Sequence, residues 1–332
     1  MIGISFNKKE FEYDAYTLVK AFYPKEDIEM YGTWEEEGPK DYEKLVSISY
    51  GDRVVTGDHT REHTLEDSTP YDEKEDRKKR KNTLKQILYK LLVQETGQTL
   101  PWGNLTGIRP VKIAMGLIEE GMTNAQAADF MRKTYFTSNE KTALAIAIAN
   151  RERDILKDID YKRGYSLYVG IPFCPSICLY CSFSSSPLEK WRDRVEDYLT
   201  ALLKELDFIS QAMKDRPLNT IYIGGGTPTT LEPDQLRRLL GYIQERFPVK
   251  DISEYTIEAG RPDSITREKL MAIREFPVTR ISVNPQTMNQ KTLEIIGRRH
   301  TVEDTVRAFE LARDCGFDNI NMDLIVGLPG EH

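Results

Sequence analysis

The second half of the chain alternates apolar strand patterns with helical patterns, and this restricts the possible fold more than any other feature. The strand patterns are SLYVGIP, NTIYIGG, EYTIEAG, TRISVNP and NINMDLIVG, and helical patterns lie near residues 190–213, 232–246, 263–273 and 289–315. Repeated strand–helix units predict a parallel sheet, closed or partly closed into a barrel. We therefore expect an α/β domain over residues 161–332, with its chemistry at the carboxyl ends of the strands.

The first half of the chain predicts a mixed α+β, mostly helical domain over residues 1–160. The alternation in IGISF predicts a strand, and LVSISYGDRVV predicts a hairpin that turns on Gly51-Asp52. Four helical patterns follow: one ending near Gly97, one from Val111 to Gly121, one after Thr123, and one opened by a Thr137-x-x-Glu140 capping box.

Three features of this first half raise the question of a function, and the structural interpretation is favoured for each. The basic run Arg77–Lys81 alternates with acids at helical spacing, which is typical of a solvated helix face rather than a nucleic-acid patch. His59 and His63 lie in a polar loop, where no helix aligns them for a metal. Trp102 and Arg109 lie in a Pro- and Gly-rich loop that a buried Trp can anchor. The role of residues 1–160 stays open.

Composition narrows the class of protein. The chain has 332 residues, of which 39% are hydrophobic, so it can hold buried cores. Its net charge of −7 argues against an electrostatic grip on nucleic acid or on an anionic membrane. The N-terminus has no signal-peptide pattern, and no apolar run is long enough for a membrane span. We expect a cytoplasmic protein with small-molecule chemistry.

The segment IPFCPSICLYCSF places Cys174, Cys178 and Cys181 directly after the first strand of the α/β domain. Cysteines this few and this clustered indicate metal ligands rather than disulfides. Three thiolates can hold three irons of a [4Fe-4S] cluster and leave the fourth iron open to another ligand. Zinc or a structural cysteine cluster is the less favoured alternative, because zinc usually has four protein ligands and Cys315 lies far along the chain.

Polar residues stand at or near the ends of the later strands. Glu258 ends the third strand, Gln286 follows the fourth, Arg298 begins a later helix, and Asp323 lies in the fifth strand. The second strand ends in the glycine loop Gly224–Thr227, where a ligand can approach backbone amides closely. Because the carboxyl ends of parallel strands meet at one edge, we expect these groups to converge.

These motifs resemble those of a known family. YVGIPFCPSICLYCSF, with Tyr180 before the last cysteine, resembles the signature of radical S-adenosylmethionine (SAM) enzymes. Together with GGGTPT, IGRRH and DLIVGLPGE it is similar to the oxygen-independent coproporphyrinogen III oxidase-like family. The segment NLTGIRPVKIA adds a likeness to its coproporphyrinogen dehydrogenase branch. The resemblance covers the C-terminal half motif by motif and the N-terminal half only in general.

The resemblance implies two cofactors and a set of residues that contact them. The three clustered cysteines would hold a [4Fe-4S] cluster, and SAM would bind its open iron. The implied SAM contacts are Tyr168, Tyr180, Gly225, Gly226, Thr227, Glu258, Gln286, Arg298 and Asp323.

The resemblance also implies a reaction and its partners. Reductive cleavage of SAM would yield a 5′-deoxyadenosyl radical, which takes a hydrogen from a propionate of coproporphyrinogen III, and loss of CO2 leaves a vinyl group. Two such events give protoporphyrinogen IX, and the electron would come from a reduced flavodoxin- or ferredoxin-type donor. Arg261 and Arg299 are candidates for the substrate carboxylates. A haem-binding and haem-delivering protein, or a radical SAM enzyme with another substrate, are the alternatives.

Two departures from the family pattern bear on these expectations. The enterobacterial-type enzyme has a fourth cysteine two residues after the third, where this chain has Phe183, as do family members thought to traffic haem. The family barrel also continues past its fifth strand, whereas this sequence stops at His332. We therefore expect a fragment that holds five strands of a partial (βα)6 barrel, incomplete at its C-terminus.

Overall fold

The structure is a computed structural model that describes residues 1–32, 42–60 and 64–331. The chain divides into two units, Met1–Ile155 and Leu156–His332, here called unit 1 and unit 2. Among the helices of the described residues, none is both long and apolar enough to cross a membrane.

Unit 1 is built on a five-stranded mixed sheet with the order β2-β1-β3-β4-β5. Its strands are β1 (Ile2–Phe6), β2 (Ile28–Gly32), β3 (Lys44–Tyr50), β4 (Arg53–Thr60) and β5 (Thr64–Pro70). β1 runs parallel to both of its neighbours, whereas β3, β4 and β5 form an antiparallel meander. The predicted hairpin is confirmed, because Tyr50 pairs with Val54 across the turn.

The helices of unit 1 are α1 (Glu12–Phe22), α2 (Arg77–Thr96), α3 (Pro110–Glu119), α4 (Asn124–Tyr135) and α5 (Asn139–Leu156). α2 ends at Gly97 in the left-handed conformation (φ 67°), as the sequence predicts. The predicted cap of α5 is wrong by one residue. The Ser138 hydroxyl accepts from the Lys141 N–H (3.2 Å), while the Thr137 hydroxyl contacts that of Thr142 (2.7 Å).

Unit 1 also contains elements that the sequence patterns do not reveal, namely α1, β2 and β5. β5 reads TLEDSTP, a polar edge strand whose partner β4 provides its backbone hydrogen bonds. The predicted loop around His59 is wrong, because His59 lies in β4 and its Nε2 contacts the Ser47 hydroxyl (2.8 Å). His63 lies outside the described residues. Trp102 packs half-buried against the core of α3, α4 and α5, which favours the anchored-loop interpretation.

Unit 2 has the predicted α/β class, with a parallel sheet in the order β12-β11-β10-β9-β6. Its strands, which include a small separate pair β7–β8, are β6 (Tyr165–Ile171), β7 (Phe173–Cys174), β8 (Ser186–Pro187), β9 (Leu218–Gly225), β10 (Glu254–Gly260), β11 (Arg280–Val283) and β12 (Ile320–Asn321). The predicted fifth strand is therefore shorter than its apolar pattern. β12 pairs with β11, an isolated parallel bridge joins Leu324 to Gln286, and Val326, which the apolar pattern includes, is 96% exposed.

The helices of unit 2 are α6 (Leu188–Trp191), α7 (Val195–Ala212), α8 (Pro233–Arg246), α9 (Arg267–Arg274), α10 (Gln290–Ile295) and α11 (Val302–Asp314). The helical pattern near residues 289–315 is two helices, and Arg298, expected to begin a helix, lies between them. Gly297 adopts a left-handed conformation (φ 77°) just after α10, and Thr301 starts α11 with a capping box.

Alternating residues of the parallel strands face two environments. Ile221, Ile223 and Ile257 belong to the apolar core that also includes residues of α7, α8 and α9. Tyr222 and Glu258 stand at the intervening positions and so point to the other face of the sheet. The strand pattern thus directs Tyr222 and Glu258 to the face of the sheet opposite the helices.

Candidate active site

One cavity of about 270 Å³ lies at the carboxyl ends of the parallel strands of unit 2. It brings together every residue predicted as a cluster ligand or SAM contact except Tyr168. Those lining it are Cys174, Cys178, Cys181, Tyr180, Gly225, Gly226, Thr227, Glu258, Gln286, Arg298 and Asp323. Residues that lie up to 149 positions apart in sequence therefore share one site because their strands end together.

The cysteine loop is tied to the rest of unit 2 by its own backbone. All three cysteines of the loop are free thiols, and the Cys181 N–H donates to the Cys178 carbonyl (3.0 Å). The Leu179 N–H donates to the Ile296 carbonyl (3.0 Å), and the Ser176 hydroxyl donates to the Gly297 carbonyl (2.9 Å). These hydrogen bonds hold the cysteine loop against the C-terminal end of α10 and do not require a bound metal.

The three thiols are not arranged for a single ion. In the ranges that the structure describes, no set of three His, Cys, Asp or Glu side chains is placed to hold one metal ion. A cubane cluster makes a different demand, because each thiolate binds its own iron and the sulfurs lie farther apart than around a single zinc. Burial raises the pKa of the Cys174 thiol, so metal binding at this residue would release a proton.

The glycine loop packs directly on the cysteine loop. The Gly226 N–H donates to the Ile171 carbonyl (2.6 Å) and the Thr227 N–H donates to the Phe173 carbonyl (2.7 Å). The Thr227 hydroxyl also donates to Cys174 Sγ (3.5 Å). A Cβ on Gly226 would lie 2.6 Å from the Phe173 carbonyl oxygen, so only glycine allows this approach.

Glu258 and Gln286 are held in defined orientations. The Tyr222 hydroxyl donates a hydrogen bond to Oε1 of Glu258, while burial raises the pKa of Glu258. Gln286 adopts a left-handed backbone conformation (φ 68°), which is uncommon for a residue other than glycine. Its N–H donates to the Asp323 carbonyl (2.9 Å), and this strained position brings the two strand ends together.

Arg298 and Asn284 leave polar atoms without a partner at the cavity. Arg298 is buried, and its Nη1 donates to the Asn284 carbonyl (2.5 Å). Arg298 Nε and Asn284 Oδ1 are both buried, and neither has a hydrogen-bond partner among the described residues. Because an unpaired buried polar atom costs free energy, these two atoms favour a polar ligand in the cavity.

Three predicted residues are not placed as expected. Tyr168 does not line the cavity; it is 59% exposed and stacks on Tyr222, with ring centroids 5.9 Å apart. Arg261 lines the cavity, but it is only 3% exposed and forms an ion pair with Asp263 (2.8 Å). Arg299 is exposed and does not line the cavity. The structure therefore argues against Arg261 as a free anchor for a substrate carboxylate.

The structure adds site residues that the sequence analysis did not single out. Asn284 and Ser176 line the cavity, and Tyr222 orients Glu258. Asn284 follows the fourth strand two residues before Gln286, and Tyr222 alternates with core residues on the second strand. The strand-end rule that indicates Gln286 also indicates Asn284. Tyr222 lies inside β9 and is indicated by strand alternation instead, whereas Ser176 carries no signal beyond its place between two cysteines.

Comparison with known proteins agrees with this geometry. Residues 168–332 match the model of the radical SAM superfamily. Over 306 residues the chain is 41% identical to the oxygen-independent coproporphyrinogen-III oxidase-like protein HemZ of Bacillus subtilis. The aligned residues cover 89% of this chain and 61% of HemZ. Over 167 residues it is 42% identical to the heme chaperone HemW of the same species, which covers 50% of this chain and 43% of HemW.

A solved structure is also similar. The coproporphyrinogen III oxidase HemN from Escherichia coli, described as a radical SAM enzyme, is 31% identical to this chain and superposes with a TM-score of 0.45. The matched part covers 50% of this chain and 38% of the HemN chain. The chain thus spans 61% of the length of HemZ and less than half of HemW and HemN.

The described site fits the cofactors that this superfamily uses, a [4Fe-4S] cluster and SAM. Three free thiols face one cavity, a glycine loop closes against them, and two buried polar atoms there lack partners. With residues 168–332 matching the family model, the chain belongs to the radical SAM superfamily.

Proposed function

We propose that Cys174, Cys178 and Cys181 hold a [4Fe-4S] cluster and that the same cavity binds and cleaves SAM. The observation that carries this proposal is the joint lining of one cavity by the three free cysteines, the glycine loop and the polar strand-end groups. When both cofactors are bound, they supply one-electron cleavage of SAM to methionine and a 5′-deoxyadenosyl radical.

The chain's own residues bind and orient SAM in this proposal. Arg298 carries a fixed positive charge and an unpaired Nε, which suit a carboxylate. Glu258 can accept from the amino group or a hydroxyl, with its orientation held by Tyr222. Gln286 and Asp323 provide further polar groups on the same wall, and the loop Gly225–Thr227 allows the ligand to approach the backbone.

For the substrate we propose coproporphyrinogen III, with oxidative decarboxylation of two propionates to vinyl groups. The names of HemZ and of the oxygen-independent coproporphyrinogen III oxidase of Paracoccus denitrificans support this, the latter being 32% identical over 178 residues. In each event the propionate would lose a hydrogen atom to the 5′-deoxyadenosyl radical, giving 5′-deoxyadenosine; the bond to its carboxylate would then break and CO2 would depart. One electron passes to a one-electron acceptor, and a reduced flavodoxin- or ferredoxin-type protein provides the electron that SAM cleavage consumes.

The test is an anaerobic assay of the full chain reconstituted with iron and sulfide. Reduced protein is given SAM and coproporphyrinogen III, and 5′-deoxyadenosine and protoporphyrinogen IX are quantified by mass spectrometry. We expect both products. If 5′-deoxyadenosine forms without decarboxylated porphyrinogen, the substrate assignment is wrong. If the cluster forms but SAM is not cleaved, the proposed function itself is wrong.

A second candidate is a haem-binding protein on the same scaffold. Phe183 favours it, because this residue stands where the enterobacterial-type enzyme has a fourth cysteine, and it is 64% exposed at the cavity. The similarity to HemW, which is named a heme chaperone, points the same way. A haem titration followed by absorbance separates the two, since stoichiometric haem binding without porphyrinogen turnover supports the second candidate.

A further inference from the structure

Arg261 occupies a position beside the cysteine loop that neither SAM contact nor substrate anchoring explains. It follows β10 directly, precedes the short 3-10 turn Pro262–Ser264, and is only 3% exposed. A guanidinium remains charged at any physiological pH, so burial at this depth needs specific partners.

Those partners use two different sides of the guanidinium. On one side Nε donates to Asp263 Oδ1 (3.0 Å) and Nη2 donates to Asp263 Oδ2 (2.8 Å), a bidentate pair that fixes the plane of the group. Burial alone would raise the pKa of Asp263, but the hydrogen bonds and charge of Arg261 outweigh it and lower that pKa. Asp263 is therefore an anion, and the pair is neutral overall.

The remaining nitrogen, Nη1, faces the cysteine loop. It donates to the Ser176 hydroxyl (3.0 Å) and to the Ser176 carbonyl (3.3 Å), and it lies 3.8 Å from Cys178 Sγ. The cationic end of the pair thus points at a cysteine sulfur, with the carboxylate on the far side. Asp263 positions Arg261, and Arg261 in turn positions the loop.

This arrangement has an electrostatic consequence for any cluster bound to Cys178. Reduction of a cluster adds negative charge, and an N–H donor or cation beside a ligand sulfur stabilises the reduced form. Cys174 receives a neutral donor, the Thr227 hydroxyl at 3.5 Å, whereas the N–H contact of Arg261 is with Cys178. The charge of Arg261 also acts on Cys174, where it opposes the rise that burial causes in the pKa of the thiol.

We propose that Arg261, oriented by Asp263, is a positioning residue that holds Cys178 in its loop and raises the reduction potential of the cluster through its N–H contact with the Cys178 sulfur. The inference rests on the proposed function, because it requires a [4Fe-4S] cluster on the cysteine triplet. It assigns Arg261 to the ease of electron uptake, with no contact to substrate.

The test compares midpoint potentials in wild-type protein, Arg261→Met and Arg261→Gln. Each full chain is reconstituted anaerobically with iron and sulfide, and the cluster is titrated with dithionite while its reduced form is followed by electron paramagnetic resonance. Arg267→Met is the matched control, because Arg267 Nη1 lies 3.8 Å from Cys315 Sγ, a cysteine outside the triplet. Iron content and circular dichroism are recorded for every variant.

We expect Arg261→Met to lower the equilibrium constant for one-electron reduction at least tenfold, which is ~59 mV toward negative potential. Arg261→Gln keeps a neutral donor and is expected between Arg261→Met and wild type. Arg267→Met is expected to match wild type. If one Arg261 variant folds normally but retains no iron, this supports the proposal that Arg261 holds Cys178 in its loop. The midpoint potential of the second Arg261 variant then decides whether Arg261 raises the reduction potential.

The outcomes separate this inference from the proposed function. If wild type takes up no [4Fe-4S] cluster, the proposed function fails and this inference fails with it. If wild type and both Arg261 variants hold full clusters with the same potential, only the inference about Arg261 is overturned. A shift of equal size in Arg267→Met would also overturn it, because the effect would then be one of overall charge.

Discussion

The hydroxyl of Tyr222 on β9 donates a hydrogen bond to Oε1 of Glu258 on the neighbouring strand β10. Burial raises the pKa of Glu258, the Tyr222 hydrogen bond opposes that rise, and the charge of Asp323 adds to it. The protonation state of a cavity-lining carboxyl therefore depends on a tyrosine that the cavity does not include.

Removing this hydroxyl in Tyr222→Phe should raise the pKa of Glu258 further. With a raised pKa, Glu258 becomes protonated at a higher pH in Tyr222→Phe than in wild type. As the solution is acidified, the affinity of the variant for SAM should therefore begin to fall at a higher pH than that of wild type. At neutral pH we expect roughly fivefold weaker SAM binding, on the order of 1 kcal/mol for one such hydrogen bond. Calorimetric titration of SAM across pH measures this.

Tyr242→Phe is the control for that experiment, because the Tyr242 hydroxyl contacts Asp207 at 3.4 Å, away from the cavity lining. Identical pH profiles for SAM binding in Tyr222→Phe and wild type would show that Tyr222 does not set the charge of Glu258.

Cysteine substitution should separate the triplet from the remaining cysteine. Cys178→Ala is expected to lose the intact cluster and SAM cleavage, because the site then offers two thiolates for the irons. Cys315→Ala removes a buried thiol from the apolar core of unit 2 and should keep both properties. Iron content and 5′-deoxyadenosine formation are the measurements. A full cluster in Cys178→Ala would contradict the ligand assignment.

Gly226→Ala should disrupt the contact between the glycine and cysteine loops. Its Cβ would lie 2.6 Å and 2.9 Å from the Phe173 and Ile171 carbonyl oxygens and 3.0 Å from Cys174 Sγ, so backbone must move. We expect reduced cluster retention and at least roughly tenfold weaker SAM binding, a loss of about 1.4 kcal/mol.

The matched control for this substitution is Gly241→Ala in helix α8. Its nearest atoms would lie 3.8 Å from the added Cβ, an ordinary contact. Because alanine is more favourable than glycine inside a helix, this variant should gain roughly 0.5–1 kcal/mol in the free energy of unfolding. Equal SAM affinities in the two variants would argue against a close approach at Gly226.

Lys85 should destabilise the folded chain at neutral pH. It is buried in α2, its Nζ donates to the Thr106 hydroxyl (2.8 Å), and burial lowers its pKa from 10.5 to about 8. Because the unfolded chain holds this proton more tightly, the free energy of unfolding rises as pH increases from about 8 to about 10.5. Lys85→Met should stabilise the neutral chain by roughly 1–3 kcal/mol and remove that rise.

Urea unfolding of the full chain at neutral pH and above about pH 8 measures the effect of Lys85. Lys78→Met, on the exposed side of the same helix, is the control and should leave both the stability and its pH dependence nearly unchanged. Equal stability of Lys85→Met and wild type at neutral pH would mean that the Thr106 contact offsets the desolvation of the amine.

Local sequence patterns predicted most of the fold of unit 2. The α/β class, the strands before Glu258 and Gln286 and the convergence of the cysteine and glycine motifs follow from strand–helix periodicity and from the common edge of parallel strands. The same patterns misplaced the start of the helix after Gly297, because Arg298 lies between α10 and α11 rather than in a helix. They also failed at β5, whose polar edge strand exists because β4 pairs with it.

The sequence by itself indicated the cysteines, the glycine loop and the polar strand-end groups that line the cavity, because cysteine spacing and strand-end positions are local properties of the chain, but it did not indicate Asn284 or Ser176. Only the tertiary structure decided how those residues are oriented and charged. Arg261 is equally basic in the sequence whether it faces a substrate or an aspartate, and packing alone pairs it with Asp263 and turns it toward Cys178. The side chains of Tyr222 and Glu258 likewise meet because two strands adopt one register, and hydrogen bonds across such pairings depend on contacts between residues that are distant in sequence.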